Sequence, residues 1–256
     1  MFERARPVAT AAALGYVLAG FGGAMTAGLT GWVWSQDPFQ QVPNWERVLA
    51  QQANRSAGIA VAFLLIFLLA IVTLFFWLSV AARAQRGKHP TSATLGGLFL
   101  TVGLLAVAAA SIWNGIVGPY AALLHEWTPD AAYKQALFAQ LVAATFVFAF
   151  GVWCFILFGA VGLYFLGRAL REAGGSPRTG WLPDVLRLAA ALALLHVPVT
   201  IYLARESLLN NHYIRSLAAL NELLLWGGLS TATYFAARYL RAEARNLFAT
   251  AHLSKN

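Results

Sequence analysis

Two titratable side chains interrupt long apolar runs in this chain: His196, within LALLHVPVTIYLA, and Glu222, within LAALNELLLWGG. An imidazole and a carboxylate could pass a proton or hold a polar solute. An ionisable group at membrane depth is costly, which makes it a functional candidate by default. His196 lies eight residues before Ala204, where its helix should reach the outer surface; Glu222 lies nine residues after Tyr213, where the next should re-enter. At a rise of about 1.5 Å per residue, both sit roughly 12–14 Å from that surface. An antiparallel hairpin would let them meet, with Asn221 beside Glu222 and Thr200 one turn from His196. Pro198 has no amide donor, so the Leu194 carbonyl should lose its helical partner and the helix should bend there. Such a site would suit proton-coupled transport or solute binding. The same groups can also simply staple two helices together, and that reading ranks first.

Other chemistry is poorly supported. His125, Glu126, Asp130, Glu206 and His212 could gather nitrogen and oxygen ligands near the outer surface. None has a metal-site spacing such as HExxH, so no metal is predicted. A bis-histidine haem needs two facing imidazoles, and only His196 is at membrane depth. The chain has no P-loop, GxSxG or CxxC signature. Cys154 is the single cysteine and cannot form an internal disulfide. No cofactor is predicted beyond bound lipid, and the expectation is a protein that is not an enzyme.

The elements that carry these residues follow from composition. Of the 256 residues, 59% are hydrophobic and 11% charged, and mean hydropathy is +0.63. A soluble domain is near a quarter charged, so the bilayer must be the solvent for most of this chain. Crossing it takes about 20 apolar residues per helix. Six stretches qualify: residues 8–34, 57–82, 93–117, 137–167, 182–203 and 213–239. The expected fold is an all-α integral membrane bundle of about six transmembrane helices, a single domain over residues 1–256. No segment alternates as a barrel strand would. The first span reads as retained, without a cleavable signal.

Lys and Arg set the orientation. Arg4, Arg6, Arg83, Arg86, Lys88, Arg168, Arg171, Arg178, Arg238, Arg241, Arg245 and Lys255 fall on one side, twelve in all; Arg47, Arg55, Lys134, Arg205 and Arg215 fall on the other. Arg187 lies just inside the fifth span. The bias predicts that both termini are cytoplasmic. A formal charge of +8 spread over connections does not suggest nucleic acid. The Arg, Ala and Gly content points to a bacterial source and hence an inner membrane. The outer connections 35–55, with Pro38 and Pro43, and 118–134, with Pro119, are long enough for short interfacial helices. The inner connection Gly174-Gly175-Ser176-Pro177 is a breaker. Trp32, Trp34, Trp77, Trp113 and Trp181 read as an interfacial belt, and Trp153 and Trp226 as bundle packing. Arg238, Arg241 and Arg245 share one face of a C-terminal extension, read first as an ordinary positive-inside anchor and second as an amphipathic segment lying on the inner surface.

The first span carries a packing signal. Ala19, Gly23, Ala27 and Gly31 recur every four residues, with Gly20, Ala24 and Gly28 in the adjacent row. Small residues at this spacing allow close helix approach in lipid. The functional expectation is a non-catalytic membrane subunit or scaffold, with the bilayer and other membrane protein subunits as partners. The alternative is a small permease, or the membrane part of a transporter, using His196 and Glu222. A third reading is a quinone- or pigment-binding protein.

Overall fold

A computed structural model describes residues 2–35, 45–172, 180–207 and 213–253. The described residues form seven helices: α1 (Phe2–Ser35), α2 (Trp45–Asn54), α3 (Ser56–Ala84), α4 (Pro90–Trp127), α5 (Ala131–Glu172), α6 (Leu182–Ser207) and α7 (Ile214–Leu253). Pro38, Pro43, the Gly174-to-Pro177 connection, Arg178, His212 and Lys255 lie outside them. Five helices are long and apolar enough to cross a membrane: Ala5–Trp32, Ser56–Ala84, Pro90–Trp127, Ala131–Arg171 and Leu182–Arg205. The architecture is that of an all-α, multi-pass membrane protein.

The segment 213–239 read as a sixth span is helical within α7 but is not one of those five. The reason is composition: Asn221, Glu222, Ser230, Thr231 and Thr233 lower its hydropathy. A second difference concerns the connections 35–55 and 118–134. The first holds the separate short helix α2, as its length suggested. In the second, α4 continues through Pro119 to Trp127, and α5 begins at Ala131. In place of the separate short helix expected there, the connection is an extension of α4. Asp130 starts α5, its Oδ1 accepting from the amides of Ala132 at 2.8 Å and Tyr133 at 3.3 Å. That is an N-cap.

The residues group into two compact units. One comprises residues 1–40, 73–101 and 159–256; the other comprises 41–72 and 102–158. In the first unit α7 packs against α1 and α6. The α1–α7 pair is antiparallel: Tyr16 meets Tyr234 edge-on at 5.6 Å between ring centroids, and Ser230 donates to the Ala19 carbonyl at 2.6 Å. Gly15 fits under Phe76 and Ala237, where any Cβ would collide with both. Also in this unit, Gly96 of α4 and Gly162 of α5 each bring the other's carbonyl to 2.9 Å from a would-be Cβ. Only glycines allow that backbone approach. Trp77, read as an interfacial residue, is instead buried and packs edge-on to Phe76.

In the second unit, Leu49 and Ala53 of α2 join Ala122 of α4 and Leu141 of α5 in one buried cluster. This explains how a helix of only ten residues holds its place: its apolar stripe lies on two longer helices. A further cluster of Ala70, Val107 and Ala108 is covered by Phe67, Phe148 and Phe155.

Candidate functional site

The α6–α7 hairpin is antiparallel, as the matched depths required. Leu203 of α6 packs on Ile214, Ala218 and Ala219 of α7. Farther along, a Cβ on Gly228 would touch Leu192 at 3.1 Å. Between these two contacts the hairpin carries its polar groups. His196 and Asn221 are both buried.

Three of the four expected residues come together, and they do so as a chain of hydrogen bonds. Asn221 donates through Nδ2 to Thr200 Oγ1 at 2.9 Å. Thr200 Oγ1 lies 3.2 Å from His196 Nε2, one turn away on the same helix. Either group can donate in that contact, according to the imidazole tautomer. α6 runs unbroken through Pro198, so the residue that removes a backbone donor does not end the helix holding the chain.

Glu222 takes a different partner. Its Oε2 accepts from the Trp226 indole N–H at 2.7 Å. The reason is rotation: successive residues on a helix are turned by about 100°. When Asn221 faces α6, Glu222 is carried to the side of Trp226, one turn on. The sequence reading treated Trp226 as packing alone. The i, i+4 spacing of acceptor and donor was the available signal.

The small-residue face of α1 is also rotated from its expected position. The residues meeting α7 are Gly15, Ala19, Gly22 and Thr26: Gly22 would place a Cβ 3.2 Å from Ser230, and Thr26 is the neighbour of Gly227 at 3.9 Å. Gly23 stands at the edge, 3.9 Å from Ser230 Oγ, while Ala27 is exposed and Gly31 has no neighbour within 4 Å. A strict four-residue repeat drifts by about 40° per step on a helix of 3.6 residues per turn. Alternating steps of four and three keep to one line. Gly20 and Gly28 likewise have nothing within 4 Å, and Val17, Phe21 and Met25 beside them are exposed.

Two buried acceptors went unnoticed in the sequence. Gln52 Oε1 and Asn114 Oδ1 have no hydrogen-bond partner, and both face Gly118, at 3.2 and 3.4 Å from its would-be Cβ. In the first unit, Arg238, Arg241 and Arg245 share the exposed side of α7 while Leu240 and Ala244 are buried. The described residues hold no group of three His, Cys, Asp or Glu side chains able to grip a metal. No protein-family model, curated protein or solved structure matches the chain.

Proposed function

We propose that this protein is a non-catalytic integral membrane subunit or scaffold, which associates with other membrane proteins and lipid through the open side of α1. The carrying observation is that the polar side chains of the α6–α7 hairpin expected to form a site bond to their own neighbours. Asn221, Thr200 and His196 form one chain, Trp226 holds Glu222, and Ser230 holds α1. A site for moving protons or solutes would leave polar groups facing a path. Instead, Asn221 ties α7 to α6 and Ser230 ties it to α1, while the Glu222–Trp226 and His196–Thr200 contacts lie within single helices. α1 uses one side for α7 and leaves Gly20, Ala24 and Gly28 uncovered on the other, a surface another transmembrane helix could approach closely.

The membrane we infer is a bacterial inner membrane, with six crossings and both termini cytoplasmic. Support for the sixth crossing comes from the register of α7, whose residues 227–237 run beside residues 15–26 of α1. The polar groups that lower its hydropathy are hydrogen-bonded, which reduces their cost in lipid. An even number of crossings returns the chain to its starting side, in keeping with the arginine bias.

The test is purification of the full chain in nanodiscs from its native host, with mass spectrometry of the same sample. The expected result is a stoichiometric membrane partner, lost from the Gly20→Leu/Gly28→Leu variant while its melting temperature is unchanged. Retention of the partner by that variant would remove α1 as the docking side. A partner-free protein whose solute uptake disappears in His196→Gln would favour the permease reading.

A further inference from the structure

Arg187 is a charged side chain inside a membrane segment. It lies five residues past Leu182, within the span Leu182–Arg205, and so about 7–8 Å along the helix from its start. Its stem crosses to α5 at Gly167, where a would-be Cβ lies 3.1 Å from Arg187 Cγ and 2.8 Å from the Pro183 carbonyl oxygen. Only a glycine leaves that channel open. The guanidinium carbon then stands 5.9 Å from the ring centroid of Tyr164, one turn along α5. Nε is buried and has no hydrogen-bond acceptor.

No carboxylate among the described residues pairs with this guanidinium. The nearest acid in sequence, Asp184, is directed at Arg171 Nη1 at 3.8 Å. Arginine cannot shed its charge under ordinary conditions. An aromatic face offsets only part of the desolvation of a full charge. Tyr164 is itself 47% exposed, so the guanidinium borders the outside of the protein and not a sealed core. A planar fork of donors calls for an anion with paired oxygens. Arg168, exposed at the same end of α5, adds positive potential.

We propose that Arg187, with Tyr164 beneath it, binds a phosphate group at the basic end of the α5–α6 pair. The phosphate can belong to a phospholipid headgroup or be free in solution. The lipid is the closer source, because anionic headgroups concentrate at a basic membrane surface and an arginine stem can reach out from within a span. The inference does not depend on what docks at α1.

The experiment uses the full chain in dodecyl maltoside, which has no phosphate. Native mass spectrometry and thermal unfolding are followed while short-chain phosphatidylglycerol or inorganic phosphate is added. Wild type should take up one phosphatidylglycerol per chain saturably, with a rise in melting temperature. Arg187→Gln should bind at least tenfold more weakly and lose the rise. Arg187→Lys keeps the charge and should bind more weakly than wild type but better than Arg187→Gln. Arg238→Gln, on the exposed side of α7, should behave as wild type. The same shift with inorganic phosphate would assign the site to a free anion; a shift with the lipid alone would assign it to a headgroup. Equal uptake by wild type and Arg187→Gln, or no uptake by wild type, would overturn the proposal.

Discussion

α3 and α7 hold their places by opposite means. α3 is the most apolar of the helices able to cross, and it shows Val61, Leu64, Leu65 and Leu68 to its surroundings. Lipid alone can keep it there. α7 is not apolar enough to qualify by composition, yet it packs against two helices. Its polar side chains are bonded one by one: Asn221 to Thr200, Glu222 to Trp226, Ser230 to Ala19, and Thr231 and Thr233 to their own preceding turns. Apolar surface confers no preference between lipid and protein inside a bilayer, so close packing and hydrogen bonds decide which helices associate. By that rule α7 should be sensitive to substitution and α3 tolerant of it.

Three substitutions can break this contrast. The largest effect is expected from Gly15→Leu, because a side chain there would meet Phe76 and Ala237. Overpacking of this kind should destabilise by about 3 kcal/mol, read as a lower melting temperature in detergent; an unchanged value would mean that α1 and α7 are not tightly joined. Asn221→Leu removes the interhelical bond to Thr200 and should destabilise by about 0.6–1.7 kcal/mol. Chemical unfolding of the purified protein would measure it, and Asn221→Gln gives a partial-rescue control. Leu65→Ala, on an exposed position of α3, should change stability by less than about 0.5 kcal/mol. A loss as large as that of Asn221→Leu would show that a protein partner, and not lipid, covers α3.

Much of the molecule could be read from residue types. The apolar runs located the long helices, and equal depths for His196 and Glu222 anticipated the antiparallel hairpin. What sequence could not supply was rotation about each helix axis. Asn221 and Glu222 are adjacent, and a turn of about 100° decides which one faces Thr200. The same ambiguity displaced the face of α1, where the four-residue repeat from Ala19 to Gly31 was conspicuous but the contact line runs through Gly15, Ala19, Gly22 and Thr26. Pro119 shows a second gap. A proline suggests a helix end in water, whereas α4 continues through it to Trp127. Arg187 was visible as a stray charge, but its setting on Gly167 and Tyr164 depends on how α5 and α6 approach each other.

The pairing of α1 with α7 also sets a schedule. Residues 36–213 must be synthesised after α1 before α7 exists. At about 5–20 residues per second, that is an interval of roughly 10–35 s. Throughout it, the positions of α1 that α7 will later cover, Ala19, Gly22 and Thr26, lack that neighbour. Another helix arriving early could take those positions, and α7 would then find its place occupied. Assembly order is thus a second constraint on the glycines of α1, separate from the stability of the finished protein.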